Sequence, residues 1–198
     1  WTFKKWNTIL GWVVFAIAFI SYLSTIEPNF SFWDCGEYIS CAVKLEVTHA
    51  PGAALFQLIG AVAAIFGFGD PSKYSVIINA MSALFSAFTI LFLWWTITHL
   101  VRRLLNKDFE EVTFTEEISI LFAGVIGALS FTFSDTFWFS AVEGEVYSMA
   151  SMFIALLVWL ITKWENEYHE KDNERWLILI FFITGLSVGV HMMCMLAI

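Results

Sequence analysis

Apolar residues along the chain gather into five stretches long enough to cross a bilayer, at about 7–26, 74–101, 117–134, 147–163 and 176–198. A membrane-spanning helix needs about 20 such residues. A sixth apolar stretch, Pro51 to Gly69, is shorter and richer in glycine. Between the first and second spans lies a long segment, 27–73. It opens on Glu27-Pro28-Asn29, a helix stop, because proline disfavours helix in the residue before it. Ser31 is placed to cap a short helix holding Asp34 and Glu37. Residues 38–46 continue as a half-buried surface helix, and Pro51-Gly52 breaks it. Residues 53–68 form a second surface or re-entrant helix, which Gly67-Phe68-Gly69-Asp70-Pro71 ends. Asn79 and Ser82, one turn apart in the second span, are expected to make helix–helix hydrogen bonds.

Composition supports the same class. The 198 residues are 59% hydrophobic and 14% charged, with a mean hydropathy of +0.75. Soluble domains carry about 45–50% apolar and about 25% charged residues. Disorder, fibrous repeats, nucleic-acid binding and a disulfide scaffold all fit poorly. The pattern predicts an all-α integral membrane protein. The first apolar run is followed by no small-residue cleavage site, so it reads as a span and not a signal peptide. Cys35, Cys41 and Cys194 form no CxxC and no metal-ligand set, and are expected to be buried or lipid-facing thiols. The chain lacks an initiating Met and ends inside an apolar run, Gly185 to Ile198, so it reads as part of a longer protein.

Charge then orders the spans. With 51–69 lying in the membrane interface, Lys4, Lys5, Arg102, Arg103, Lys107, Lys163, Lys171 and Arg175 share one side, leaving Lys44 and Lys73 on the other. Eight bases against two is the bias of a cytoplasmic face. The opposite face holds Glu27, Asp34, Glu37, Glu46, Asp70, Asp135, Glu143 and Glu145, so the formal charge of −8 divides into −6 outside and −2 inside. The inner loops mix both signs and read as solvated connectors.

The outer loops hold the candidate chemistry. Asp34 and Glu37 stand at i, i+3, which puts both carboxylates on one face of a helix. Phe32, Trp33 and Tyr38 flank them, surroundings expected to raise a carboxylate's pKa and make it a better base. An acidic helix start with an aromatic belt is the plain structural alternative. His49 precedes a rigid Pro51-Gly52 turn and can hold an anionic group, or it is structural. Glu143 and Glu145 flank Gly144 and converge on one ligand only if that segment is non-helical; otherwise Glu145 caps the fourth span. His191 follows Gly185-xxx-Gly189, glycines that permit close helix packing, and an ionisable residue within a span is a functional candidate.

Acids gathered at one membrane surface suit transfer of a sugar from a lipid-linked phosphate to a hydroxyl. The leaving phosphate needs no general acid, whereas the acceptor hydroxyl needs a base. Charge on the departing phosphate needs a Lys, Arg, His or metal partner. In such a site Asp34 is the base, Glu37 or Glu143 and Glu145 orient the acceptor, and His49 or Lys44 faces the phosphate. The prenyl tail lies along the apolar helices. A divalent metal can sit at the Asp34/Glu37 pair, since hard carboxylates suit Mg²⁺, although no ligand cage is evident. Two other readings remain open. A transporter would place ionisable groups at mid-membrane, but the second, third and fourth spans lack Asp and Glu over most of their length. A non-catalytic membrane subunit would hold a partner through its outer helices.

Four segments in order carry a resemblance: Phe32-Trp33-Asp34-Cys35-Gly36-Glu37-Tyr38, His49-Ala50-Pro51-Gly52-Ala53-Ala54-Leu55-Phe56, Asn79-Ala80-Met81-Ser82-Ala83-Leu84, and Phe137-Trp138-Phe139-Ser140-Ala141-Val142-Glu143-Gly144-Glu145-Val146-Tyr147. Together they resemble the DUF2723 family, multi-span proteins common in Bacteroidetes and related to TMEM260-type protein O-mannosyltransferases. Gly185 to His191 is similar to that family's next motif. Cys35 stands where the family usually has serine, and Ala50 where it usually has proline. The layout is similar to GT-C glycosyltransferases, whose first outer loop carries a catalytic acid and surface helices. The resemblance implies the N-terminal part of a GT-C-type bundle, a polyprenyl-phosphate sugar donor, a mannose-like sugar, and inverting transfer to a protein or glycan hydroxyl. It implies Asp34 as base with Glu37 beside it, in a bacterial inner membrane with outer loops facing the periplasm. This piece alone is expected to be inactive.

Overall fold

A computed structural model describes residues 3–105 and 112–197. Lys107 and Ile198, which figure in the charge and span assignments, lie outside them. The chain is an all-α integral membrane protein, with no strand among the described residues. Eight helices follow in order: α1 (Phe3–Ser24), α2 (Cys35–Lys44), α3 (Ala54–Ala64), α4 (Tyr74–Leu104), α5 (Phe114–Thr132), α6 (Asp135–Ala141), α7 (Val146–Asn166) and α8 (Glu174–Val188). Short 3-10 turns extend α3 (Ile65–Gly67), lead into α4 (Pro71–Lys73) and follow α8 (Met192–Ala197). Among the described residues, α1, α4 with its leading turn, α5 and α7 are long and apolar enough to cross a membrane.

α4 is the axis of the bundle, packed by α1, α5 and α7. Its sequence explains why. Ser82, Ala83, Ser86 and Ala87 are fully buried small side chains that admit neighbours closely, while Ile78, Ile90, Leu91 and Trp94 fill the spaces between. Trp94 donates from Nε1 to the Asn7 carbonyl (3.0 Å) and to its Oδ1 (2.8 Å), which ties α4 to α1. The Tyr22 hydroxyl donates to the Thr132 carbonyl at 3.0 Å, joining α1 to α5 at the other end. α5 approaches α4 through Gly124, where an added Cβ would stand 2.8 Å from Thr98 Cγ2 and 2.9 Å from Trp94 Cζ3. Of the pair expected to pack closely, Gly185 has no neighbour within 4 Å of such a Cβ, whereas one on Gly189 would stand 3.3 Å from Leu55 Cβ.

α3 with its 3-10 extension is 14 residues, about 21 Å at 1.5 Å per residue. That is short of a hydrocarbon core of about 30 Å. It packs on α2 and on the start of α4 and exposes Leu58, Val62, Ile65, Phe66 and Phe68. The stretch 176–198 divides: α8 stops before Gly189, and the turn Met192–Ala197 folds back on α7. Asn79 is buried, but its amide donates to the Glu27 and Asn29 carbonyls, so it holds a loop and not a second helix.

The two ends of the bundle differ in chemistry. At one end Arg103 pairs with Glu165, Arg102 donates to Asn166, and Lys163 stands over the Trp159 ring. At the other, the segments 25–53, 133–145 and 189–191 meet. Glu27 N–H donates to the Val142 carbonyl (3.1 Å), Thr25 accepts from Trp138 Nε1 (2.9 Å), and Leu55 N–H donates to the Gly189 carbonyl (2.8 Å).

Candidate functional site

The site begins with the turn into α2. Trp33 takes a left-handed backbone (φ 64°), uncommon for a residue with a large side chain, and Asp34 follows as the N-cap. Asp34 makes no side-chain cap bond, leaving its carboxylate free to face outward. Ser31, expected as the cap, is used elsewhere: its hydroxyl donates to the Glu143 carboxylate. Phe32 and Trp33 are 84% and 86% exposed, so they do not cover the acids. α2 ends on Leu45 in a left-handed conformation, and the chain returns through His49, whose carbonyl accepts from Gly52 N–H at 2.8 Å. Gly52 has φ +93°, a conformation that suits glycine because it has no Cβ.

This return places His49 against α2. Glu37 Oε1 accepts the His49 backbone N–H at 2.7 Å, and Glu37 Oε2 stands 2.9 Å from His49 Nδ1. His49 Nε2 faces Asp34 Oδ2 at 3.8 Å. Tyr38 packs its ring edge-on to His49 (5.9 Å between centroids) and to Phe56 (5.5 Å). The hydrogen bonds from His49 hold the Glu37 carboxyl below its ordinary value, and the same contact raises the His49 imidazole. The aromatic flank therefore does not raise Glu37, contrary to the sequence expectation: the hydrogen bonds outweigh the weak burial.

The segment between α6 and α7 supplies the buried acids. Residues 142–145 are non-helical, the condition for Glu143 and Glu145 to turn inward, and both are nearly inaccessible. Glu145 occupies the N-cap position of α7, but its side chain makes no cap bond and instead accepts the backbone N–H of Asp34. Burial, then the charges of Glu143 and Asp34, push its carboxyl up to about 7. Burial also raises Glu143, with Ser31 opposing. Tyr38 is pushed to about 12 by burial and then by Asp34 and Glu145. Gly144 between the two acids lies against α4 and α2; a Cβ there would stand 3.0 Å from Asn79 Oδ1 and 3.1 Å from Ile39 Cγ1.

Asp34, Glu37, His49 and Glu145 thus form one cluster with Glu143 adjoining it. His191 joins at the edge: its ring lies 5.7 Å from that of Tyr147, and its Nδ1 accepts from Met193 N–H at 3.1 Å. Lys44 stands apart, exposed in the last turn of α2, seven residues beyond Glu37. The sequence pattern offers Ser31 only as a helix cap and gives Tyr147 no role of its own. Tyr147 was signalled only by its place two residues after Glu145, and Ser31 carried a competing signal as a cap. The three cysteines are buried and free.

Donor atoms of Asp34, Glu37 and His49 lie within 4.8 Å of one another, a spacing a cation could use. The imidazole, however, presents Nδ1 to one carboxylate and Nε2 to the other. One ion can bind only one ring nitrogen, so a cation seated here would give up one of the two His49–carboxylate contacts.

Comparison with known proteins gives concordant matches. A family model described as protein O-mannosyl-transferase TMEM260 N-terminal domain matches residues 34–198. The chain is 30% identical over 167 residues to protein O-mannosyl-transferase tmem260 of Dictyostelium discoideum, covering 83% of this chain and 18% of that protein. It is 29% identical over 176 residues to protein O-mannosyl-transferase TMEM260 of Mus musculus, covering 88% of this chain and 22% of that one. The chain spans about a fifth of the length of these curated relatives. No solved structure matches it.

Proposed function

The chain belongs to the protein O-mannosyl-transferase TMEM260 N-terminal domain family, and we propose that it forms the N-terminal part of a membrane glycosyltransferase of GT-C type. The enzyme moves a mannose-like sugar from a polyprenyl phosphate to an acceptor hydroxyl, a protein Ser or Thr in our reading. The reaction occurs at the non-cytoplasmic face, with the protein in a bacterial inner membrane and the outer loops in the periplasm. The observation that carries this reading is the meeting of Asp34, Glu37 and His49 from the first outer segment with Glu145 from the second. That cluster lies at the end of the bundle opposite its clustered arginines.

Asp34 is the base. Its carboxylate is 54% exposed and can reach an incoming hydroxyl. It removes the hydroxyl proton as the oxygen attacks the anomeric carbon from the face opposite the phosphate, inverting that centre. The carbon–oxygen bond to phosphate breaks, and the electron pair leaves with the prenyl phosphate. Glu143 and Glu145 shape the acceptor side, His191 lines its edge, and His49 or Lys44 meets the phosphate. The prenyl tail lies along the apolar exterior of the spans.

The test is reconstitution of the intact protein in liposomes with polyprenyl-phosphate mannose and a Ser/Thr-rich peptide, read by peptide mass. Wild type is expected to add a hexose. Asp34→Asn is expected to lose about 10²–10⁴-fold in rate, the usual contribution of a positioned base. Equal transfer by both proteins removes Asp34 from its role.

A further inference from the structure

A site made only of Asp34, Glu37 and Glu145 would repel the phosphate of any donor. Among the described residues, His49 is the one basic side chain in direct contact with these acids. Its geometry is over-determined. Glu37 holds it at two points, the backbone N–H at 2.7 Å and Nδ1 at 2.9 Å. Tyr38 supports the ring, and the tight turn to Gly52 fixes the backbone. A ring nitrogen facing a carboxylate at hydrogen-bond distance carries its proton, so Nδ1–H is committed to Glu37. The other nitrogen, Nε2, lies 3.8 Å from Asp34 Oδ2, beyond hydrogen-bond distance, on a side chain 48% exposed.

We propose that Glu37 is a positioning residue for His49, and that His49 Nε2–H holds the departing phosphate as a second catalytic group beside Asp34. This rests on the glycosyl-transfer reading above and reassigns Glu37 from the acceptor to the donor side. The step balances. The acceptor proton passes to the Asp34 carboxylate, the new carbon–oxygen bond forms as the bond to phosphate breaks, and the electron pair goes to the phosphate oxygen. His49 Nε2–H donates a hydrogen bond to that oxygen and retains its proton. The groups facing His49 are Asp34, Glu37 and Tyr38 from α2 with its cap, and Glu145 from the second segment. The three carboxyls are acids, so the surroundings favour imidazolium, in line with the raised His49 value. A preorganised donor aimed at developing charge is the arrangement that stabilises such a transition state.

The experiment follows transfer against pH with the intact protein in liposomes, polyprenyl-phosphate mannose and the peptide acceptor, for wild type, Glu37→Gln and His49→Gln. Solid-state ¹⁵N spectra of histidine-labelled wild type and Glu37→Gln, with His49 assigned by its loss in His49→Gln, follow the ring directly. The expected result has three parts. His49→Gln lowers kcat by about 10²–10³-fold, as loss of one such donor does. Glu37→Gln moves the alkaline limb of the kcat profile to lower pH without raising the acceptor KM. The His49 ring titrates at lower pH in Glu37→Gln. A Glu37→Gln protein with a higher acceptor KM and an unmoved alkaline limb overturns the proposal and leaves the transferase reading standing. So does an unshifted ¹⁵N titration. A wild type that transfers nothing overturns the transferase reading and this role with it. Glu37 is partly exposed and its removal leaves the packing of α2 in place; His49→Asn gives a second variant in which a small polar side chain keeps the turn.

Discussion

Asn79 and Glu27, 52 positions apart in sequence, are joined by a 2.7 Å hydrogen bond from the buried side-chain amide to the loop carbonyl. A second bond from the same nitrogen reaches the Asn29 carbonyl at 2.9 Å. One side chain on the bundle's axis therefore fixes where the segment after α1 leaves that helix, and through it where Trp33 and Asp34 begin. Asn79→Leu is expected to cost about 1–3 kcal/mol, the penalty for leaving such groups unpaired. Activity should fall with it although Asn79 bonds only to the Glu27 and Asn29 carbonyls and not to the acids of the cluster. Thermal unfolding together with kcat checks this; a stable, fully active Asn79→Leu would show that the loop holds itself.

Glu145 should lower stability at neutral pH. Its carboxyl rises from 4.5 in the unfolded chain to about 7 in the folded one, so the folded state binds the proton more tightly. Its favourable contribution is complete below pH 4.5 and is lost as pH rises through 7. Glu145→Gln should therefore stabilise the protein at pH 8, by on the order of 1–3 kcal/mol, and leave stability unchanged at pH 4. Transfer should decline in the same variant. Melting temperatures at the two pH values decide the matter.

The glycines of α5 and α8 should respond in opposite ways to alanine. Gly124→Ala forces a Cβ to within 3 Å of Thr98 and the buried Trp94 ring, and overpacking of this kind costs about 1–3 kcal/mol. Gly185→Ala meets nothing and gains helix propensity, up to about 1 kcal/mol. Thermal unfolding of the two variants side by side tests the packing around α4.

Chelation should leave the rate unchanged. Both oxygens of Glu37 are engaged by His49, and the ring nitrogens face different acids. Transfer measured before and after EDTA, with Mg²⁺ or Mn²⁺ added back, checks this; a metal-restored rate would mean that the His49 bridge opens in the working enzyme.

Much of the fold was legible in the sequence because an apolar run long enough to cross a bilayer is itself the mark of a spanning helix. α1, α4, α5 and α7 each coincide with an apolar run, and Pro51-Gly52 separates α2 from α3 as turn chemistry predicts. The i, i+3 spacing brought Asp34 and Glu37 to one face, but spacing says nothing about what approaches that face. The arrival of His49 depends on a left-handed cap at Leu45 and the turn beyond it. Ser31 looked like a cap because serine favours caps. A buried carboxylate 112 residues away offers its hydroxyl a stronger acceptor. The division of labour between Glu143 and Glu145 was likewise hidden, since the two differ only in which partner the folded loop presents. Gly185 had the right spacing for close packing but no helix opposite it.

The 2.8 Å bond from Leu55 N–H to the Gly189 carbonyl has a bearing on biogenesis. The ribosome delivers α3 long before residue 189 exists. Until the later residues arrive, α3 lacks a partner for the Leu55 amide, Ser31 lacks its carboxylate, and Asp34 lacks the acceptor for its backbone N–H. The first loop must therefore wait, tethered by α1 and α4, while α5 to α8 are made. A truncation that ends before Gly189 would leave an inserted bundle whose chemistry had never been assembled.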